Sequence, residues 1–165
     1  MDFASLGLDD LSKTSHKKNN KIKSLGEHIE EVKQISYVLA KNHDLLKFKE
    51  IIDILADWHD VGKLNPKWSI GNDKNPPHSA LSAYLYLDNS ENDPRIFYLI
   101  LKHHSYLNSH DANPTPPKCR EILGRYIIPA VRGAGLEINI SKENLNTIIK
   151  KIYSTLQRLQ EKIED

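Results

Sequence analysis

The stretch "ADWHDVGK", residues 56–63, puts His59 directly beside Asp60 in the last turn of a predicted helix, with Gly62 and Lys63 following at once. Adjacent side chains on a helix point about a quarter-turn apart, so the two cannot both face a core as ordinary packing residues. An imidazole, a carboxylate and an ammonium gathered at one helix end point to a polar centre.

Outward from this stretch, apolar spacing predicts six helical segments and no strand. The first covers about 24–41, with His28, Val32, Ile35 and Leu39 on one face. The second covers about 47–61, carries Ile52, Leu55, Ala56 and His59 on one stripe, and stops at Gly62. The third covers about 77–87, with His78 in its first turn and Leu81 and Leu85 behind it. The fourth opens at Asp93-Pro94-Arg95, runs to about Ser105, and groups Ile96, Leu99, Ile100 and His103. After a proline-rich loop, "HDANPTPPK" (110–118), a fifth helix covers about 118–132, kinked or shortened by Pro129. "GAGLEINI" (133–140) reads as a short extended stretch. The sixth helix begins at a Ser141 cap and carries Leu145, Ile148, Ile152, Leu156, Leu159 and Ile163 as a long apolar stripe. Core packing is the favoured role of that stripe; docking of a partner is the alternative. The fold class is an all-α bundle.

With 165 residues the chain is sized for one domain, and its 39% hydrophobic and 27% charged residues are those of a globular protein. No apolar run is long enough to span a membrane, and the N-terminus lacks a signal-peptide pattern, so a cytoplasmic protein with no membrane partner is expected. Cys119, the one cysteine, has no partner for an internal disulfide. A net charge of +1 does not by itself suggest nucleic-acid binding. Locally, five lysines and no acid fall between Leu11 and Gly26. Residues 1–23 therefore read as a basic N-terminal arm, and 24–165 as the folded domain. The arm is either a solvated tail or a patch that steers nucleic-acid strands, since clustered lysine attracts phosphate without reading sequence. Lys17, Lys18, Lys21, Lys23 and Lys67 are the candidate nucleic-acid contacts. Trp58 and Trp68 flank the His-Asp step; base stacking is open to both, with core packing favoured for Trp58.

Of eight histidines, His28, His59, His78 and His103 fall on the inward stripes of four different helices, with His104 next to the last. One such histidine alone reads as a core residue satisfied by a backbone carbonyl. Four on converging helices read as a metal centre, because buried imidazoles need partners and one ion serves several. Imidazole and carboxylate without thiolate suit Mn, Fe, Co, Ni or Zn. Asp60 can bridge two ions, and ions about 3.5–4 Å apart clamp the attacking and leaving oxygens of a phosphoester displacement. Lys63, just past the helix end, is in reach of a bound phosphate, where it would stabilise negative charge. The competing reading is a surface lysine at a helix C-terminus.

Taken in order, His28, Trp58-His59-Asp60-Val61-Gly62-Lys63, Pro76-Pro77-His78-Ser79-Ala80 and Lys102-His103-His104 resemble the HD superfamily of metal-dependent phosphohydrolases. The pattern is most similar to the CRISPR-associated HD nuclease, the Cas-three HD module of type I systems without its helicase. The likeness spans about Leu25 to Ser105. It implies an HD-domain helical bundle in which His28, His59 and Asp60 hold one divalent ion. Asp60 as a bridge, with His78, His103 and His104, would hold a second. Asp60 and Lys63 become the catalytic residues, with one or two ions per chain (Mn, Ni, Co, Fe or Mg). The activity implied is endo- and exonucleolytic hydrolysis of single-stranded DNA, with RNA sometimes accepted, in antiviral defence. The partners implied are a separate helicase subunit and the Cascade surveillance complex. The family's late aspartate has no counterpart: after His104 only Asp111 and Asp165 follow, and Glu121, Glu137 and Glu143 sit in no matching motif.

Two other functions compete. One is an HD phosphohydrolase acting on nucleotides, against which stand the absent "GYP" segment and the paired histidines. The other is a degenerate, non-catalytic HD subunit that docks a helicase.

Overall fold

The computed structural model describes residues 17–18, 21–65, 67–69, 75, 77–87, 93–104, 115–135 and 142–164. It is all-helical apart from a two-residue antiparallel pairing, β1 (Lys17–Lys18) with β2 (Lys21–Ile22), in which Lys17 faces Ile22 and Lys18 faces Lys21. The sequence reading missed this pairing, which is too short to leave a periodic signal.

Helix α1 is Leu25–Asn42. Ser24 caps it: its hydroxyl accepts from the Glu27 amide at 3.1 Å, and its own amide donates to the Glu27 carboxylate at 2.8 Å. This reciprocal pair satisfies two of the donors a helix start leaves open. Helix α2 is Lys49–Trp58, entered through a 3₁₀ turn at Leu46–Phe48. The α1–α2 pair is tied by Lys33 to Asp57 at 2.8 Å and by the Tyr37 hydroxyl donating to Asp53. The expected inward stripe of α1 does not hold along its length. Ile35 and Leu39 are 62% and 55% exposed, because α1 packs mainly on α2 and no other described element covers that side.

Helix α2 also ends earlier than expected. Trp58 is its last residue, His59 is the cap, and a separate 3₁₀ turn spans Val61–Leu64. Gly62 is not a left-handed stop. It lies inside that turn, where a Cβ would fall 2.3 Å from the His78 carbonyl oxygen, and its amide donates to the buried Ser82 hydroxyl at 2.8 Å. Only glycine lets the turn press this closely on the next helix.

Helix α3 is His78–Leu87, and α4 is Pro94–Lys102, capped by Asp93 accepting from the Arg95 amide. Proline at the first helical position loses no bond there. Helices α5 (Pro116–Glu121) and α6 (Ile128–Gly133) are joined by a wide π-helical segment, Ile122–Ile127. Pro129 was expected to kink or shorten this helix. Proline has no amide to offer the preceding turn, and the helix widens just before it instead of breaking.

Helix α7 is Lys142–Glu164. Ile152 and Leu156 on its apolar stripe are fully buried and Leu159 nearly so, which assigns this part of the stripe to the core rather than to a docking face. The core gathers α3, α4, α5, α6 and α7, with Trp58 edge-on to Tyr86 at 5.3 Å. Ser141, the 105–114 loop and residues 136–140 of the expected extended stretch lie outside the described residues. Among those described, no helix is long and apolar enough to cross a membrane.

Candidate metal centre

Asp60 occupies the turn between α2 and the 3₁₀ turn, with φ −111° and ψ 5°, and is only 2% exposed. Its carbonyl accepts the Lys63 amide at 2.8 Å, and its carboxylate accepts the Lys63 ammonium at 2.7 Å. Both ends of Asp60 are therefore fixed within four residues of chain.

Four helix ends bring imidazoles to this carboxylate, and its two oxygens divide them. The Nε2 atoms of His28 and His59 lie 3.2 and 3.4 Å from Oδ2. Those of His78 and His103 lie 3.1 and 3.6 Å from Oδ1. His104 joins the second group through its Nε2, 2.9 Å from that of His78. Two sets thus have ligand atoms close enough to share an ion: Asp60, His78, His103 and His104, and His28, His59 and Asp60. Asp60 is buried, His104 is exposed, and the other rings are partly covered.

The far side of two rings explains their aim. His59 Nδ1 donates to the Ala56 carbonyl at 2.7 Å, and His103 Nδ1 donates to the Ile100 carbonyl at 2.7 Å. A carbonyl only accepts, so each Nδ1 carries the hydrogen and the neutral ring presents a lone pair at Nε2. These lone pairs face a carboxylate oxygen, an arrangement that repels unless a proton or a cation lies between. Asp60 Oδ1 and His103 Nε2 are both buried without a hydrogen-bond partner. Charging every ring would crowd positive charges around one carboxylate, whereas a divalent cation satisfies them together. The residues fit a transition metal held by nitrogen and oxygen. Carbonyl-anchored imidazoles are also the usual way a protein orients such ligands.

Electrostatics agree with this picture. Burial works against the ionised form of Asp60, but the imidazoles of His103, His28, His59 and His78 hold its carboxyl well below the usual range. Burial lowers His78, and burial together with His103 and His78 pushes His104 down to about 4. Those two rings are therefore neutral, and able to ligate, near neutral pH. Burial also opposes charge on His59, yet the Asp60 carboxylate beside it raises that ring, so without a cation a proton on Nε2 is what lies between the two.

All six expected metal-binding residues come together, each at or beside a helix terminus except His28, one turn inside α1. Lys63 is not the surface lysine of the competing reading. It is 3% exposed, paired with Asp60 Oδ2, and its ammonium sits 5.4 Å from the centre of the Trp68 ring. It is neither a surface lysine nor a side chain extended towards solvent. Trp68 is itself 7% exposed and set edge-on to His78, so its ring is not presented to an unpaired base. Trp58 is a core residue, as favoured. Lys23 pairs with Glu31 of α1, and Lys67 is exposed with its chain against Gly135. The side chains of Lys17, Lys18 and Lys21, and Asp111, lie outside the described residues. Glu121 is engaged by Lys118 at 3.3 Å and Arg125 at 3.4 Å and joins neither ligand set. Sequence reasoning did not single out Ser82, which fixes the turn through Gly62; a serine on an apolar helix face gives no signal of what it holds. The chain matches no protein-family model, no curated protein and no solved structure.

Proposed function

We propose that this protein is a metal-dependent phosphodiesterase of the HD-nuclease type, hydrolysing single-stranded DNA, with RNA as an alternative substrate. The observation that carries the reading is the division of the Asp60 carboxylate, with one oxygen facing His28 and His59 and the other facing His78 and His103. One buried carboxylate flanked by two histidine sets is the layout of a two-ion site for phosphoryl chemistry. Bound ions there would supply Lewis-acid polarisation of the phosphate and a water made more acidic. The protein's part is to fix the ligands. Ala56 and Ile100 carbonyls orient two rings, the Lys63 ammonium holds Oδ2, and the Gly62 turn locks Asp60 onto α3. Exposed His104 marks the side on which substrate approaches. The resemblance adds the setting: antiviral interference with a separate helicase subunit and the Cascade complex.

A second reading is a non-catalytic subunit that docks a helicase. The α7 stripe no longer supports it; the exposed Ile35, Val38 and Leu39 on α1 do. Metal analysis of the purified protein, alongside cleavage of labelled single strands titrated with Mn, Ni, Co, Fe and Mg, separates the two. Metal-dependent cleavage is the expected result. A folded, metal-loaded protein that cuts no strand, DNA or RNA, would leave the docking reading.

A further inference from the structure

A cavity of about 310 Å³ opens between α1, α2 and α4; His59 and His103 are among the residues that line it, and Asp60 is not. Helix α1 packs on α2 and α2 on α4, while α1 and α4 barely meet, and the gap between those two is the cavity. Val32 and Ser36 line one wall, Ile52 and Leu55 the floor, and Leu99 the other wall. His59 and His103 close the end nearest the ligand sets, their rings 5.5 Å apart and nearly perpendicular. Val32 and Ser36 follow His28 at helical spacing along α1, as Leu55 precedes His59 on α2 and Leu99 precedes His103 on α4. The ligand-bearing faces of three helices thus continue without a break into an apolar pocket.

We infer that this cavity receives one nucleobase of the substrate strand, seated against His59 and His103 while the attached phosphate lies at the Asp60 side. The inference rests on the nucleic-acid reading above and adds what that reading leaves open, where the base goes and what reads it. Size agrees: a dry apolar cavity of about 150 Å³ holds one benzene, so roughly twice that volume accepts a purine or a pyrimidine. The chemistry of the lining decides selectivity. Aliphatic walls offer a base dispersion and exclusion of water; the polar groups among the lining residues are the Ser36 hydroxyl, the Lys102 ammonium and the imidazoles of His59 and His103, whose Nδ1 atoms are taken up by backbone carbonyls. One hydroxyl and one ammonium cannot discriminate four patterns of donors and acceptors, so the pocket accepts every base. Trp68, the aromatic residue that sequence suggested for stacking, is turned into the fold instead.

Methyl-resolved NMR of the metal-free protein tests this without requiring turnover. The probes are the four deoxynucleoside 5′-monophosphates, deoxyribose 5-phosphate as a base-free control, and decyl phosphate as an apolar chain. The nucleotides should shift the methyls of Val32, Ile52, Leu55 and Leu99, with dissociation constants within about threefold of one another, as an apolar pocket discriminates weakly. Deoxyribose 5-phosphate should leave those methyls unmoved. Ser36→Phe and Leu99→Trp fill the cavity from opposite walls, so misfolding of one leaves the other. Either folded variant should weaken nucleotide binding by about tenfold or more, since the base loses its buried contacts. Nucleotides that do not move these methyls, or that bind a filled variant unchanged, overturn the inference. So does a response to decyl phosphate alone. Strand cleavage with silent methyls would sink the base pocket and spare the nuclease; methyl shifts without cleavage would do the reverse.

Discussion

The two sides of the Asp60 carboxylate are built from the same residue type and yet are not equivalent. On the Oδ1 side, three histidines face an oxygen that has no hydrogen-bond partner, and His103 offers an equally unpartnered nitrogen. On the Oδ2 side, two histidines face an oxygen already held by the Lys63 ammonium at 2.7 Å. The first side has an unmet demand for a cation. The second has a resident cation of its own. The ligand counts that sequence provided pointed the same way, since the Oδ2 set lacks the late aspartate of the resembled family. The buried lysine supplies a physical reason that counting could not: an ammonium on Oδ2 competes with any ion there. The Oδ1 side should be the tight site and the Oδ2 side the exchangeable one.

The largest expected effect comes from removing what both sides share. Asp60→Asn should abolish metal retention and lower strand cleavage by at least about three orders of magnitude, as loss of an essential site component does, while helical circular dichroism stays unchanged. Near-normal cleavage by the folded variant would end the two-sided picture altogether.

Next come substitutions on one side only. His103→Ala should cost the tight ion at least the roughly 10–100-fold that loss of a mere supporting contact costs a metal site. His59→Ala should leave that ion bound and remove only the second binding event. Isothermal titration with Mn or Ni resolves the two. Equal losses in both variants would mean that the sides bind as one unit.

Lys63→Met sharpens the comparison further. Breaking a buried pair by removing one partner costs on the order of 3–5 kcal/mol, since the remaining charge is left uncompensated. The metal-free variant should lose about that much in a urea melt, and added metal should restore part of it by neutralising Asp60. The Oδ2 side, freed of its competitor, should then bind a second ion more tightly than in the parent protein. A variant as stable as the parent without metal would show that Lys63 does not hold Asp60.

The mildest effect is that of pH. Protons compete with metal for ring nitrogens. The His59 ring is raised above its ordinary value, so as pH falls it takes a proton early and the Oδ2 side releases its ion first. His78 is lowered and His104 is near 4, so these Oδ1 ligands stay unprotonated to lower pH and the tight ion should outlast the other. Metal content measured across a pH series should fall in two steps in that order; a single step, or the reverse order, contradicts it.

Much of this centre was legible because its ligands lie on or at the ends of amphipathic helices. Periodicity places a helix, and a histidine at its inward edge is conspicuous among aliphatic neighbours. What periodicity cannot report is whether another element covers a given face. The apolar stripe of α1 is real in sequence, yet Ile35 and Leu39 remain exposed. Nor does composition distinguish a lysine folded back onto the preceding aspartate from one extended into water, so the pairing of Lys63 with Asp60 was not legible. Gly62 had a plausible local reading as a helix stop. Its actual constraint is the His78 carbonyl, sixteen residues away in sequence and invisible until the turn and α3 are packed together.

The wide segment between α5 and α6 is a correction of phase. From Cys119 to Ala134, residues of this helix remain turned to the core. A uniform α-helix of that span would overrun four whole turns by about 60°, because fifteen steps at 3.6 residues per turn exceed four turns. The segment Ile122–Ile127, wound with more residues per turn, turns less per residue and works against that excess, and buried residues are found at both ends of the helix. Gly124 within it has no atom within 4 Å of where a Cβ would stand, while Ile122, Leu123 and Ile127 of the same segment are buried in the core. Since α3 rests on this widened region and on α6, the winding there helps set the surface on which the helix carrying His78 is seated.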